Sequence, residues 1–243
     1  MSPSVNLLII ADHASNYIPE KYDNLGLEKK DVITHKAYDP GVKELAINLS
    51  NKLNSQLVLG QYSRLLIDCN RDEDDPTLIS AISDRKIILG NKKITKQEKN
   101  YRINKMYRPY HEKIKKKILE NNINVIFSLH SFNPIFKGKK RRLKYGILSN
   151  QDRRLSDLLL NELKKKKNIV GDNEPYKGSL IGDTLYKHAL KRGIHHSLIE
   201  IRNDLLSNVK KIDQVSNLLY RVINKSIKSC LLYTSDAADE PSS

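Results

Sequence analysis

The stretch "LLIIADHASNYIP", residues 7–19, runs from a series of aliphatic residues directly into a short polar segment. An aliphatic run without polar alternation is typical of a strand that is buried on both faces, as in a parallel sheet. Asp12 and His13 follow the run directly. Open α/β sheets bind ligands in the crevice outside the carboxyl ends of their strands. The stretch therefore predicts a parallel sheet whose first strand delivers His13 to a ligand site.

Further aliphatic runs alternate with helical patterns along the chain. Asp39 is a suitable N-cap for a helix over residues 39–53, and "TKQE" at residues 95–98 is a capping box that opens a long helix. Further strands are predicted within 56–70 and over 123–129, 144–149 and 196–201, and further helices over 152–166, 183–193 and 209–227. Residues 72–91 read as a long loop. The alternation favours an α/β fold with a mostly parallel sheet and helices on both faces.

The last segment of the chain, "CLLYTSDAADEPSS", differs abruptly in composition from the residues before it. Its core resembles one reading frame of a sequencing adapter, so we exclude residues 230–243 from the fold as a non-native tail. A chain of 243 residues can bury one sizeable core. We therefore assign residues 1–229 to a single domain and leave the native chain end beyond Ser229 open.

The net charge of +15 suggests nucleic-acid binding, because Lys and Arg neutralise phosphates. The excess is mostly lysine in scattered runs, and no zinc-finger spacing, RNP-like motif or Gly-rich RNA loop accompanies it. We favour a solvated basic surface over a nucleic-acid partner. The sequence has no signal-peptide pattern and no apolar run of about 20 residues, so we expect a cytoplasmic protein without a membrane partner.

Chemically active side chains follow three of the predicted strands. "IIADHASN" offers His13, "IFSLHSFNP" offers His130, and "SLIEIRND" offers Glu200 and Arg202. Two histidines and a carboxylate at one sheet edge could bind one zinc ion with an open position, and a further carboxylate could act as general base. A single histidine after a strand is more often a structural residue than a metal ligand. The same pattern at three strand ends favours a joint site.

Two arginines lie in "YSRLLIDCNR", residues 62–71. The planar guanidinium groups of Arg64 and Arg71 could bind a substrate carboxylate or stabilise a developing oxyanion. An internal ion pair of either arginine with Asp68 is the alternative, and both roles are compatible. Cys69 has no histidine partner in the sequence nearby, so we do not favour a cysteine hydrolase.

Six separated segments carry a resemblance to a known family. In order, "ADHASNYIP", "HKAYDPG", "YSRLLIDCNR", "LHSFNP", "GDNEPY" and "EIRNDL" span residues 7 to about 205 and resemble the N-formylglutamate amidohydrolases. The resemblance implies a zinc-dependent amide hydrolase with a three-layer α/β sandwich, a phosphorylase/hydrolase-like fold similar to zinc carboxypeptidases and aspartoacylase. It also implies that Asn70 and Arg71 bind a substrate carboxylate, that His13 and His130 hold zinc, and that Glu200 activates water.

The third metal ligand is the point at which the chain departs from the zinc carboxypeptidase pattern. That pattern has a glutamate three residues beyond the first histidine, where this chain has Asn16, and a neutral amide is a poor zinc ligand. Asp39 in "KAYDPG" is our candidate for the third ligand, with Asn16 or water as alternatives. Asp39 could equally be only a helix N-cap. Asp12 could orient a ligand histidine from behind.

These assignments predict hydrolysis of N-formyl-L-glutamate to formate and glutamate, a step of amino-acid catabolism, with one zinc ion per chain. Arg64 would stabilise the tetrahedral intermediate, and Arg202 and Tyr176 would add to substrate binding. A broader zinc-dependent N-acyl amino acid amidohydrolase or a carboxypeptidase-like enzyme is the alternative within enzymes. A basic nucleic-acid-binding protein on an inactive hydrolase scaffold is the alternative of another class.

The other histidines are weaker candidates for the site. His35 could line it, whereas His111 and His188 are expected to be structural. His195 and His196 are adjacent on a strand and so point in opposite directions, which argues against a shared metal. The oligomeric state does not follow from the sequence.

Overall fold

The structure, a computed structural model, describes residues 4–178 and 181–236. Six strands form its central sheet: β1 (Leu7–Ala11), β2 (Gln56–Leu59), β3 (Val125–Phe132), β4 (Tyr145–Leu148), β5 (Val170–Asp172) and β6 (His195–Arg202). Their order across the sheet is β2-β1-β3-β6-β4-β5. β1 runs parallel to β2 and β3, and β6 runs parallel to β3. β4 is antiparallel to β6, and β5 is parallel to β4, so the sheet is mixed but mostly parallel, as predicted.

Six α-helices flank the sheet: α1 (Val42–Leu53), α2 (Lys96–Arg102), α3 (Arg108–Glu120), α4 (Ser156–Lys165), α5 (Thr184–His188) and α6 (Val209–Asp236). A π-helical turn, Ile103–Tyr107, joins α2 to α3. The other helical segments are Lys29–Val32, Leu89–Lys92, Glu20–Gly26, Leu190–Arg192 and Asn203–Leu206. Two hairpins pair Ile82–Ser83 with Lys86–Ile87 and Ile135–Phe136 with Lys139–Lys140.

The side chains of β1 show why the fold has three layers. Leu7, Ile9 and Ala11 belong to a core shared with α1, α4 and α6, whereas Leu8 and Ile10 belong to a second core shared with the π-helical turn and α3. Successive residues of a strand point to opposite faces, so an aliphatic residue at every position requires a helical layer on each side. The predicted α/β sandwich is confirmed.

The two predicted helix starts have different outcomes. The hydroxyl of Thr95 accepts from the backbone N–H of Glu98 at 3.1 Å, as the capping pattern predicts. The N-cap prediction for Asp39 is wrong, because α1 begins at Val42 and its N-cap is Gly41, a left-handed residue with φ of 78°. Asp39 contributes only its backbone carbonyl to the helix start, since its carboxylate has partners elsewhere.

The sequence did not predict some of the short strands and helices. Within residues 56–70 only Gln56–Leu59 forms a strand, and β5 was not predicted because three residues are too few to show a period. The predicted loop over 72–91 contains one hairpin and a four-residue helix.

The last helix continues past the predicted boundary of the domain. α6 ends at Asp236, and the side chain of Cys230 is 5% exposed within the core that α1 and α4 share. Residues 237–243 of the predicted tail lie outside the described residues, and the non-native origin of the tail stays a prediction. Among the described helices, none combines the length and the apolar character that a membrane crossing requires.

Candidate active site

The carboxyl ends of β1, β3 and β6 meet at a cavity of about 400 Å³. His13 follows β1, while His130 on β3 and Glu200 on β6 are direct partners in the parallel register. On both strands the neighbouring apolar residues point into the opposite core, so His130 and Glu200 share the sheet face that looks toward α3. The three predicted strand-end residues therefore lie together, and all three are buried.

Two histidines and one carboxylate form a cluster with the spacing of a metal site. The ligand atoms of His13, Asp39 and His130 lie within 4.8 Å of one another. Asp39 Oδ2 is 3.0 Å from His130 Nδ1 and 3.6 Å from His13 Nδ1. Ligands that each lie about 2.0–2.2 Å from a tetrahedral zinc ion are separated by about 3.3 Å. The spacing of these atoms is therefore suitable for zinc.

Hydrogen bonds behind the histidines decide which ring nitrogens face the cluster. His13 Nε2 lies 2.7 Å from Asp68 Oδ1, and His130 Nε2 lies 3.2 Å from Asp12 Oδ2. An ionised carboxylate only accepts, so these contacts place a proton on each Nε2 atom. Both Nδ1 atoms face Asp39 Oδ2: that of His130 is within hydrogen-bond distance, at 3.0 Å, whereas that of His13 has no hydrogen-bond partner among the described residues.

The three ligand atoms are close enough to bind one cation together. Burial, followed by the positive charge of Arg64, lowers the pKa of His13 to about 4, so this imidazole is neutral near pH 7 and its Nδ1 is free to bind a metal. Two imidazoles, each backed by a carboxylate, and one carboxylate oxygen form a donor set that suits zinc. The residues present therefore fit a divalent metal.

The second oxygen of Asp39 is held by cationic and polar neighbours. Asp39 Oδ1 forms an ion pair with Arg64 and lies 3.3 Å from His35 Nε2. The backbone N–H of Ser131 donates to Oδ2 at 3.2 Å. These contacts orient Oδ2 toward the two histidines, and they explain why the carboxylate does not cap α1.

The two supporting aspartates are ionised. Burial by itself would raise the pKa of Asp12, but its hydrogen bonds with His130 and Thr184 hold it well below the usual range. Burial likewise opposes ionisation of Asp68, and its hydrogen bond with His13, together with the positive charges of Arg71 and Arg64, holds its pKa well below the usual range. Asp12 thus orients a histidine of the cluster, as predicted, and Asp68 does the same for the other.

Glu200 is a buried carboxyl group without a fixed partner. It is 6% exposed, and its Oε2 has no hydrogen-bond partner among the described residues. Burial raises the pKa of Glu200, and the nearby His130, His35 and Arg64 only partly oppose this shift. A carboxyl group with a raised pKa beside this group of two histidines and an aspartate is able to exchange protons with a bound reactant.

Further polar groups line the wall of the cavity. Three residues that were predicted to bind substrate, Asn70, Arg71 and Tyr176, contribute to this wall, and Asp183 joins them. Arg71 donates from Nη1 to the carbonyl of Asn70 at 2.9 Å and from Nε to Thr77 at 3.2 Å. Arg64 pairs with Asp39, so the alternative direct ion pair of an arginine with Asp68 does not form among the described residues.

Two predicted residues lie away from the cavity. The guanidinium of Arg202 binds Asp204, with Nε to Oδ1 at 2.7 Å, and the carbonyl of Arg141 at 2.8 Å. Arg202 is the last residue of β6, and the segment before β4 accepts hydrogen bonds from its guanidinium group. Its side chain therefore does not line the cavity. Asn16 donates to the carbonyl of Val32 at 3.0 Å and does not contribute to the metal cluster.

Of the remaining histidines, some line the cavity and others are buried away from it. His35 lines the cavity, and His111 and His188 form a buried pair at 2.9 Å. His196 also lines the cavity, together with Leu198 and Glu200 on the same face of β6. The period of two along the strand is the sequence signal that indicates this shared face. Burial raises the pKa of the Cys69 thiol well above its usual value, which does not suit a nucleophile.

Comparisons with known proteins are consistent with this architecture. The family profile described as N-formylglutamate amidohydrolase matches residues 5–207. The crystal structure of a gene product from Agrobacterium tumefaciens is 33% identical, with a TM-score of 0.88, over 93% of this chain and 91% of that chain. The crystal structure of N-formylglutamate amidohydrolase from Ralstonia eutropha is 21% identical, with a TM-score of 0.66, over 93% and 94% of the two chains, and has the same fold. A comparison with curated protein sequences found no significant match.

Proposed function

Because this chain belongs to the N-formylglutamate amidohydrolase family, we propose that it uses one zinc ion to hydrolyse the amide bond of an N-acylated acidic amino acid, with N-formyl-L-glutamate as substrate and formate and glutamate as products. The observation that carries the proposal is the convergence of three ligand atoms, from His13, Asp39 and His130, beside the unpartnered carboxyl oxygen of Glu200. A metal site and an adjacent proton acceptor are what hydrolysis of an unactivated amide requires.

His13, Asp39 and His130 would hold the zinc ion, with Asp68 and Asp12 fixing the two imidazole rings. When bound, zinc supplies Lewis acidity, which polarises a carbonyl group and lowers the pKa of water. Arg64 keeps the carboxylate of Asp39 in place through its ion pair. The Nε–H of Arg64 is buried without a partner in the described structure, so it is available to a developing oxyanion.

Glu200 would accept the proton of the attacking water and then transfer it to the leaving nitrogen. Its burial supports this role, because a raised pKa brings a carboxyl group closer to the pH at which it both takes and gives a proton. The partner position of His130 in the register keeps Glu200 beside the metal cluster.

Asn70 and Arg71 would bind the carboxylate of the substrate. Arg71 is anchored by the carbonyl of Asn70 and by Thr77, which leaves Nη2 of its guanidinium fork for a ligand. Tyr176, 41% exposed at the cavity wall, would cover the bound amino acid. Arg202 has no part in this proposal, since its partners are Asp204 and backbone carbonyls.

The test combines metal analysis with product analysis on the purified chain. We expect about one zinc ion per chain and release of formate from N-formyl-L-glutamate that stops on chelation and returns when zinc is added. Zinc without formate release would discard the proposed substrate, and release of larger acyl groups would indicate a broader amidohydrolase. Absence of any bound metal would overturn the proposed mechanism.

A further inference from the structure

Thr184 connects the metal cluster to the wall that would bind the substrate. It is the first residue of α5 and is fully buried. The helix does not use its side chain, because the preceding Asp183 is the N-cap and accepts from the backbone N–H of Tyr186 at 2.7 Å. The hydroxyl and the backbone N–H of Thr184 instead bind two different groups of the site.

The hydroxyl of Thr184 binds Asp12. Its Oγ1 lies 2.6 Å from Asp12 Oδ1 and 3.2 Å from the carbonyl of Cys69. A hydroxyl has one proton, and a hydrogen bond to an ionised carboxylate is shorter and stronger than one to a carbonyl. The proton of Thr184 therefore goes to Asp12.

Asp12 in turn fixes the ring of His130. Tyr110 and Thr184 donate to Oδ1, at 2.9 and 2.6 Å, while Ser128 and His130 donate to Oδ2, both at 3.2 Å. A carboxylate with two donors on each oxygen cannot rotate without losing several hydrogen bonds. This saturation holds the ring of His130 with Nε2 toward Asp12 and Nδ1 toward Asp39.

The backbone N–H of Thr184 binds Asn70. It donates to Asn70 Oδ1 at 3.0 Å, which fixes the side-chain amide with its oxygen toward α5. The amide NH₂ of Asn70 then has no protein partner among the described residues, and Asn70 lines the cavity. One residue thus orients both a metal-facing histidine and a donor for the substrate carboxylate.

We propose that Thr184 is a positioning residue that couples the geometry of the metal site to that of the substrate-binding Asn70. The inference rests on the proposed function, in which His130 binds the metal and Asn70 binds the substrate. The hydroxyl serves the metal and the backbone N–H serves the substrate, so substitution of the side chain separates the two roles.

The first test measures zinc affinity by competition with a chromophoric chelator. Thr184→Val keeps the shape and the backbone N–H but removes the proton donor to Asp12, and we expect zinc binding to weaken by about 10–100-fold, the cost of losing an outer partner of a metal ligand. Thr184→Ser restores the donor and should bind zinc within about threefold of the wild type. The KM of Thr184→Val for N-formyl-L-glutamate should change less than its zinc affinity, because the backbone N–H still holds Asn70.

The matched control is Ser156→Ala, which removes another buried hydroxyl, one that lies 2.9 Å from Ser197 Oγ near the opposite core. It should alter the thermal unfolding temperature as Thr184→Val does, without a change in zinc affinity. A folded Thr184→Val chain with wild-type zinc affinity would overturn the positioning role and leave the proposed function intact.

The second test needs no metal, and it keeps the two proposals distinguishable. Two-bond ¹H–¹⁵N correlation spectra of the metal-free chain report the environment of the ring nitrogens of His130. We expect the same Nε2 shift in the wild type and in Thr184→Ser, and a changed Nε2 shift in Thr184→Val, because Asp12 then loses one of the donors that hold it against Nε2. If the wild-type chain binds no zinc, the proposed function fails, whereas an unchanged Nε2 shift in Thr184→Val overturns the role of Thr184 itself.

Discussion

His130 and Glu200 lie directly opposite each other on neighbouring parallel strands, so that an imidazole and a buried carboxyl group share one face of the sheet. Parallel pairing sets this relationship. Both strands run in the same direction, and residues that are partners in the register point to the same face of the sheet. The proposed metal ligand and the proposed proton acceptor are thereby placed side by side on rigid elements, which suits catalysis better than a placement on loops.

Glu200→Gln should separate metal binding from turnover. The amide keeps the shape but cannot accept a proton, so we expect zinc content near one per chain and a kcat lowered by about 10²–10⁴-fold, the usual contribution of a general acid–base group. Metal analysis and formate release measure the two effects. The control is Glu112→Gln on the exposed face of α3, which should leave both unchanged. Turnover near wild type in Glu200→Gln would remove Glu200 from the mechanism.

Asp39→Asn should lose zinc. The substitution removes the negative charge of the carboxylate that lies beside both Nδ1 atoms, and an amide is a poor zinc ligand. We expect zinc affinity to fall by at least the roughly 10–100-fold that loss of an outer partner costs. Chelator competition measures the affinity, and Asp213→Asn at an exposed ion pair of α6 is the control. Full zinc affinity in Asp39→Asn would show that the third ligand is another group.

Arg71→Ala should act on substrates that carry a carboxylate. A charge-assisted hydrogen bond contributes about 1.5–3 kcal/mol, so we expect kcat/KM for N-formyl-L-glutamate to fall by about 10–100-fold, mainly through KM. An N-formyl amino acid amide without carboxylates serves as the comparison substrate and should be much less affected. Arg85→Ala, at an exposed turn, is the control variant. Equal losses on both substrates would contradict a carboxylate-binding role.

Acid should destabilise the fold through the buried pair of His111 and His188. Burial is the largest cause that lowers their pKa values, to about 3 and about 4, below the ordinary value of 6.5. The unfolded chain therefore binds protons first as the pH falls. The stability from the neutral pair is present above pH 6.5 and is lost as the pH falls toward 4.

His188→Gln tests this pH dependence. The amide can still donate to His111 Nδ1 but does not titrate, so the loss of unfolding free energy between pH 7 and pH 5 should shrink by about 1–2 kcal/mol. Urea unfolding at the two pH values gives the difference. Lys228→Gln, an exposed change on α6, should follow the wild type. An unchanged pH dependence in His188→Gln would contradict a buried neutral pair.

The local pattern of apolar residues is enough to predict the scaffold and the sheet edge at which the site lies. A strand with an aliphatic residue at every position must be covered on both faces, so β1 implies a sandwich before any contact is known. The carboxyl ends of parallel strands meet at one edge, and that rule alone brings His13, His130 and Glu200 together.

The partner of each buried polar side chain follows from long-range packing and not from the local sequence. Asp39 is as suitable for a helix cap as for a metal cluster, and its carboxylate went to His130, 91 residues away in the sequence. Arg202 lies at the end of β6 near Glu200, yet its guanidinium group binds Asp204 and the segment that precedes β4. The contact of Thr184 with Asp12 spans 172 residues. Hydrophobic periodicity is a local property that the sequence contains, whereas the partner of a buried polar group depends on which distant segments the packed layers bring within 3 Å of it.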